Sequence, residues 1–231
     1  NRQNYARTVA ERVFGKDSWQ AQEDVIALYW LHSGIIIFIS DYEKLGPQTL
    51  RLTPFSLVHT EAAKKTGAVP QIVTLEGNEA VLEFDKPIDI YQAAGAKPTG
   101  GKISGNVQIQ ADRGTPDPSD DIITYTDYLE FLESENRIWT ESAVRIVSAD
   151  TVMTGTGGEL NLKHDETQKK TRDMPMFRGV HDVVLFKDVQ INMLAGAGGG
   201  VMPGAAKASK ETAKEERKTP LTITSQGRFS Y

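Results

Sequence analysis

A short apolar cassette recurs along this chain and constrains the fold more than any other feature. It reads GNVQI at 105–109, SAVRI at 142–146 and KDVQI at 187–191, with weaker copies at 87–90 and 220–223. The three cassette valines, at 107, 144 and 189, are 37 and 45 residues apart. Such repeats are typical of stacked architectures, in which each unit buries its apolar face against its neighbours. Because each unit reads as strands, the sequence predicts a β-stack whose apolar interior holds or conveys something.

The alternation within each cassette predicts which side chains point inward. Residues two apart on a strand share a face, so each cassette valine and isoleucine lie on one side while Gln108, Arg145 and Gln190 face the other. One aliphatic face and one polar face indicate an antiparallel sheet that is wetted on one side and closes into a sandwich or a folded slot. The predicted inward positions are Val107, Ile109, Leu129, Phe131, Ile138, Val144, Ile146, Leu160, Leu162, Val189 and Ile191. Side chains filling the interior and an open lipid groove both remain possible at this point.

The pattern along the chain predicts three regions. Residues 1–24 read as a leader with a short amphipathic helix, and residues 25–99 as an N-terminal β region. Residues 100–231 carry the clear cassettes, with a flexible insertion, or an interdomain linker, at 195–219. The turn at 76–78 between two alternating runs favours a hairpin. Asn1 is not an initiator methionine and Tyr231 ends inside a predicted strand, so we expect a piece of a longer protein.

Composition argues against several classes of function. The formal net charge is −5 and the basic residues are dispersed, which gives no support for nucleic-acid binding. There is no cysteine, so thiol catalysis and thiolate metal sites are excluded. The four histidines do not stand in a metal-ligand spacing, and no serine-hydrolase elbow occurs. We therefore predict no catalytic residue, no metal and no cofactor.

Residues 120–162 resemble the OstA-like, LptA/LptC-type domain of the bacterial lipopolysaccharide transport system. The matching segments are YTDYLEF at 125–131, NRIWTESAVRI at 136–146 and TGTGGELNL at 154–162, and 101–109 resembles a preceding repeat. The similarity is clear over residues 100–162, extends to 177–193 and 220–231, and fades before residue 80. The loop at 112–121, the insertion at 195–219 and the N-terminal hundred residues depart from the family pattern.

The resemblance implies a twisted antiparallel β-jellyroll, or β-taco, in the periplasm, with a possible inner-membrane anchor upstream of Asn1. It implies that the eleven inward positions line a groove for the acyl chains of a lipopolysaccharide-like glycolipid. It also implies end-to-end stacking with other domains of this kind, which unpaired strand edges at both ends would permit.

Two other functions stay open on the sequence. One is a structural or interaction scaffold of a larger envelope protein, with a closed core and no lipid cargo. The other is an enzyme such as a glycosidase, which would need two carboxylates facing each other across a cleft. The chain has many acidic residues and no pattern that selects such a pair.

Overall fold

The computed structural model describes residues 2–30, 34–60, 71–90, 96–112, 121–135, 137–162, 180–195 and 219–230. These residues form one α-helix, α1 (Arg2–Val13), two 3₁₀ turns (Trp19–Ala21 and Glu133–Glu135) and one antiparallel sheet of twelve strands. The strands are β1 (Ile26–Trp30), β2 (Ile35–Gly46), β3 (Thr49–Thr60), β4 (Ile72–Gly77), β5 (Glu79–Phe84), β6 (Pro98–Asp112), β7 (Ile122–Leu132), β8 (Arg137–Ser148), β9 (Thr151–Leu162), β10 (Val180–Ala195), β11 (Thr219–Ser225) and β12 (Phe229–Ser230). The predicted all-β stack with a short N-terminal helix is confirmed.

Strand order in the sheet follows chain order, as expected for hairpins added one after another. The path runs β1-β2-β3-β4-β6-β7-β8-β9-β10-β11, with β5 beside β3 and β6, and β12 beside β10. Long strands that follow one another in the chain lie side by side, which brings each new inward face next to the previous one. The three cassettes fall on β6, β8 and β10, so the repeat in sequence corresponds to every second strand.

The hairpin predicted at 76–78 is wrong. β4 and β5 both pair with β3 on one side and with β6 on the other, in one running order. They are therefore two halves of a single strand interrupted at Asn78. The physical reason lies on the neighbouring strand, where the Asn78 backbone N–H donates to the Gly105 carbonyl at 2.8 Å. This hydrogen bond satisfies the Asn78 backbone N–H at a bend within one strand, where the sequence pattern had indicated a turn between two strands.

The ladder is interrupted at this same level on the strands that follow. An extra residue sits on β6 between Ser104 and Val107, on β8 between Thr140 and Ala143, and on β10 between Lys187 and Gln190. We call this row of interruptions the crease. An extra residue in one strand is a β-bulge, which bends the strand and increases its twist. The sheet therefore bends along the crease. Val107 and Val144 follow the interruptions on β6 and β8, and Val189 lies within the interruption on β10.

The apolar residues on the inner face of the bent sheet form two clusters. The first joins twenty buried residues from Leu28 to Ile138, drawn from both sides of the crease. The second is built around Val144, Ile146, Leu185 and Ile191. The first cluster extends across residue 100, since Phe84 and Ile103 both belong to it. The division into regions 25–99 and 100–231 stays a prediction.

Helix α1 covers the outer face of the first strands. Ala6 and Ala10 are buried against Ile36, Phe38 and Val58, and the Phe14 and Phe38 rings meet edge to face at 6.1 Å. Residues 35–39 are thus buried on both faces, which explains their uninterrupted apolar run. Within the described ranges, no helix combines the length and the apolarity needed to cross a membrane. The predicted insertion at 195–219 and the loop at 112–121 lie outside the described residues except at their ends.

Candidate functional site

One row of directly paired inward side chains crosses ten strands of the sheet, and we call it the middle row. Its positions follow from the strand registers of β1 to β4 and β6 to β11. Its members are Leu28, Ile37, Leu57, Leu75, Ile109, Thr124, Ile146, Met153, Ile191 and Ile223. Nine of the ten are aliphatic or methionine, so the apolar lining is continuous from one edge strand to the other.

The structure places most of the predicted inward residues inside. Eight of them are no more than 6% exposed: Val107, Leu129, Phe131, Ile138, Val144, Ile146, Val189 and Ile191. Ile109 is half-buried and packs against the first cluster. Leu160 and Leu162 lie on β9, but their side chains are outside the described part of the structure. Burial places these residues in the interior, and their role in lining a lipid groove stays a prediction.

The two halves of the interior differ in how they are filled. In the N-terminal half, large side chains fill the interior of the bent sheet. Leu50, Leu52, Phe55 and Leu57 are each at most 1% exposed. In the C-terminal half an open groove of about 150 Å³ lies between the two clusters. Its lining includes five of the predicted residues: Ile109, Leu129, Ile138, Val144 and Ile146. The remaining aliphatic side chains of the groove are Ile122, Met153 and Leu185.

The groove exists because several inward positions carry small side chains. Where the N-terminal half has leucine and phenylalanine, the groove has alanine, threonine, serine or glycine, and larger groups there would fill it. These positions are Ala111, Thr124, Thr126, Thr140, Ser148, Thr151 and Gly158. Sequence reasoning missed them, since it looked only for aliphatic residues. The signal was present in the period of two over Ile122, Thr124 and Thr126.

Two threonines stand in the wall of the groove at the crease. The Thr126 and Thr140 hydroxyl oxygens are 3.3 Å apart, and both side chains are buried. Thr126 Oγ1 is also 3.3 Å from the Tyr128 carbonyl, to which it can donate. The Ser142 backbone N–H donates to Thr140 Oγ1 at 3.1 Å. The hydroxyls are thus used to satisfy backbone groups that the bulge removes from the ladder.

The outer face of the same strands is polar, as the alternation predicted. Arg145 and Gln190 are exposed there, and Arg145 lies over the Tyr125 ring with the guanidinium carbon 5.6 Å from its centroid. Trp139 is covered in the same way by Arg137, at 4.9 Å, and Arg137 also binds Glu159 at 3.0 Å. These contacts make the outer face a solvated layer, in contrast to the apolar groove behind it.

A larger and more polar cavity, of about 470 Å³, lies on the outer face beside the end of α1. Gln20 is buried there and donates through Nε2 to Ser56 Oγ and to Glu76 Oε2, both at 2.9 Å. Burial raises the pKa of Glu76, and the hydrogen bonds from Ser56 and Gln20 oppose that rise. This network fastens the segment after α1 to the sheet.

Neither cavity offers a metal site. Among the described residues, no three histidine or acidic side chains converge so that they could hold a metal ion. The groove is lined by apolar side chains, by five hydroxyl-bearing residues, of which Thr126 and Thr140 are hydrogen-bonded, and by Glu159, whose carboxylate binds Arg137. The apolar part of this arrangement can exclude water from a hydrocarbon group, and Glu159 is the acidic residue among its described lining.

Comparison with known proteins gives a loose likeness to solved structures. No protein-family model matches the chain, and no curated protein matches it. Among solved structures, the chain is similar to the crystal structure of LptH, the LptA-homologous periplasmic component of the lipopolysaccharide transport device from Pseudomonas aeruginosa. The identity is 12%, the match covers 61% of this chain and 90% of that chain, and the TM-score is 0.38. A likeness at this level carries no argument about function, which therefore rests on the geometry described above.

Proposed function

We propose that this chain is a non-enzymatic lipid-handling module of the lipopolysaccharide-transport type. Its groove, in the C-terminal half of the interior, shields an acyl chain from water. The observation that carries the proposal is the groove itself: an apolar, partly open cavity whose wall contains five of the residues that the sequence pointed to. An interior that serves only for stability would be filled, as the N-terminal half is. Each methylene that leaves water for such a site contributes about 0.8 kcal/mol, so even a short stretch of chain binds measurably.

A matched pair of threonine variants tests the proposal. Thr124 lies in the wall of the groove, whereas Thr154 lies next to Met153 on the opposite face, paired with Arg145. Thr124→Leu places two further carbon atoms in the cavity, while Thr154→Leu adds the same atoms to the outer face. We expect Thr124→Leu to weaken the binding of a fluorescent fatty acid at least tenfold and Thr154→Leu to leave it within about twofold.

Fluorescence titration of the purified variants measures these affinities. Equal binding by both variants, or no binding of the fatty acid by the unmodified chain, would contradict a groove that shields acyl chains. Circular dichroism of each variant keeps loss of binding apart from loss of fold.

The proposal includes end-to-end contact with partner β-domains. β1 and β11 are the two ends of the strand path, and neither has a further neighbour among the described strands. A strand edge with unpaired N–H and C=O groups accepts another strand. The middle row reaches both edges, so a partner added at either end would extend the apolar lining.

Engineered cysteines test this contact cleanly, because the chain has none of its own. A second copy of the chain is the simplest partner. In the Ala27→Cys/Thr222→Cys variant each copy carries a thiol on β1 and one on β11. Under oxidation at high concentration we expect a ladder of disulfide-linked oligomers on a non-reducing gel, whereas each single variant should stop at dimers. A double variant that also stops at dimers would count against head-to-tail pairing.

The periplasm is the compartment that goes with this proposal, and the resemblance of residues 100–162 is what supports it. The scaffold function remains the second candidate, and the filled N-terminal half favours it there, because large side chains such as Leu50, Leu52 and Phe55 are at most 1% exposed. The two functions differ in one respect: a scaffold carries no lipid. Native mass spectrometry of the purified protein distinguishes them by the presence or absence of a co-purifying lipid.

A further inference from the structure

The polar cavity beside the end of α1, which we call the outer-face cavity, lies between α1, β4 and β6. Its floor is the outer face of the two strands, where Thr74 lies directly opposite Gln110 and Ile72 lies opposite Asp112. Its wall is the end of α1 and the segment that follows, up to Gln20. Its volume of about 470 Å³ falls within the range of about 300–1,000 Å³ that is usual for small-molecule sites.

Hydrogen bonds hold the polar side chains of this cavity in place. Gln20 Nε2 donates to Ser56 Oγ and to Glu76 Oε2, each at 2.9 Å, which joins the wall to the floor. Gln110 Nε2 donates to Asp121 Oδ2 at 3.0 Å, so the Gln110 amide oxygen stays able to accept. A cavity whose polar groups are already fixed loses little entropy when a ligand binds.

Thr74 is the residue that points most directly to a ligand. It is 6% exposed, yet among the described residues nothing is hydrogen-bonded to its hydroxyl. A buried hydroxyl without a partner is unfavourable. Because Thr74 lines the outer-face cavity, a polar ligand there would supply the missing partner.

Two further side chains of the lining have donors to spare. Arg12, in the last turn of α1, and Trp19 both line the cavity, and neither side chain is hydrogen-bonded within the part of the chain that the structure describes. The guanidinium has five N–H donors and the indole has one, together with an aromatic face. The cavity therefore combines unpaired donors, the acceptor oxygens of Gln110 and Glu76, and an aromatic surface.

This combination disfavours three classes of ligand. An anion would lie beside the carboxyl groups of Glu76 and Asp112, with Arg12 as the one basic residue of the described lining. An organic cation would be repelled by Arg12 and could not accept from the unpaired donors. A purely apolar ligand would cover Thr74 and Glu76 without replacing the water that it displaces.

A neutral sugar avoids all three conflicts. Each sugar hydroxyl donates one hydrogen bond and accepts two, so it can use donors and acceptors together. The C–H face of a sugar ring is apolar and packs against an indole.

We infer that the outer-face cavity is a second ligand site, which binds a neutral sugar of one or two rings, with Thr74 and Arg12 hydrogen-bonded to its hydroxyls and Trp19 packed against its ring. The site is separate from the groove, because Gln110 lines the outer-face cavity whereas its two neighbours on β6 line the groove on the other face of the sheet. The inference therefore adds to the proposed function and does not depend on it.

Saturation-transfer NMR with the purified chain tests for the site. The probes are glucose, galactose, mannose, N-acetylglucosamine, maltose and lactose, with choline and glucose 6-phosphate as the cationic and anionic comparisons. We expect at least one sugar to bind, and to bind more tightly than choline and glucose 6-phosphate. The inference is wrong if no sugar binds, or if either charged probe binds more tightly than every sugar.

A matched pair of valine variants locates the binding. Thr74→Val keeps the shape of the side chain and removes the unpaired hydroxyl, while Thr154→Val makes the same change on the outer face of β9, outside the cavity lining. We expect Thr74→Val to weaken the tightest-binding sugar about fivefold, the effect of one net hydrogen bond, and Thr154→Val to leave it within about twofold. Equal affinities of the two variants would place the sugar elsewhere and overturn the inference.

A second pair on α1 provides an independent check and decides the question if Thr74→Val does not fold. Arg12→Gln removes a guanidinium from the wall, whereas Arg7→Gln removes one that is outside the lining and ion-paired with Glu11. We expect Arg12→Gln alone to weaken sugar binding, by about fivefold. Equal binding by these two variants would contradict the site. A failure of sugar binding leaves the acyl groove untouched, because fatty-acid titration measures that site separately.

Discussion

At the scale of single residues, the alternation of side chains predicted the buried aliphatic positions and missed the small ones that create the groove. Counting backwards in twos from Leu129 would place Tyr125 and Asp127 inside. In the structure Thr126 is buried and Tyr125 is exposed, because the strand pairing shifts register between Thr126 and Glu130. Thr126 and Leu129 are three residues apart on β7 and both are buried, so the alternation breaks within β7 between them. The position of this break depends on pairing that sequence alone does not contain.

Glu76 gives a prediction at this scale. Burial raises its pKa above the value of 4.5 expected for the unfolded chain, so the folded protein holds this proton more tightly. The contribution of this group to stability is therefore fully present at pH values below 4.5 and is lost as the pH rises through the folded-state pKa. Glu76→Gln removes the titrating group while an amide oxygen can still accept the hydrogen bond from Gln20.

As the pH rises from 4 to 7, we expect the free energy of unfolding of Glu76→Gln to increase relative to that of the unmodified protein. Urea denaturation at several pH values measures this difference. Glu141→Gln, which removes a charge at an exposed position on β8, is the control and should show no such gain. A constant difference between Glu76→Gln and the unmodified protein would show that burial of this carboxyl has no energetic consequence.

At the scale of elements, the cassettes predicted strands correctly, and the structure explains why they recur. Each cassette valine lies in or just after a bulge at the crease, so the repeat marks the places where alternate strands bend. The residues before two of these valines adopt left-handed backbone conformations, with φ of 52° at Asn106 and 51° at Asp188. Asparagine and aspartate tolerate this region better than other residues with a side chain. The strand was visible in the sequence, but the bend was not, because a bulge differs from a regular strand only in its pairing.

The crease leads to a prediction about these two positions. Both side chains are exposed, so substitution changes the backbone preference without emptying the core. Asn106→Val and Asp188→Val should each destabilise the protein by about 1–2 kcal/mol, because a β-branched residue is strained at positive φ. Asn106→Gly and Asp188→Gly should be close to neutral. Urea denaturation ranks the four variants. Valine variants as stable as the glycine variants would contradict a bulge with left-handed backbone at these two positions.

At the scale of the whole molecule, the sequence predicted a continuous apolar lining but could not say how it is filled. The middle row confirms the continuity across ten strands. The division into a filled half and a grooved half depends on which side chains meet across the bent sheet, and therefore on the crease. The outer face of the first strands could not be predicted either, since α1 covers it through the small residues Ala6 and Ala10 rather than through the aromatic Tyr5, which is 55% exposed.

The central claim is that the inner face of β8 contacts lipid while its outer face does not. Ile146 and Arg145 are adjacent on β8 and point to opposite faces, the first 6% exposed and in the groove wall, the second exposed to solvent. A photoreactive amino acid is placed at one position or the other, the folded protein is irradiated with an envelope lipid extract, and adducts are identified by mass spectrometry. We predict a lipid adduct at position 146 and none at 145. No adduct at 146, or equal adducts at both positions, would contradict a lipid-holding interior.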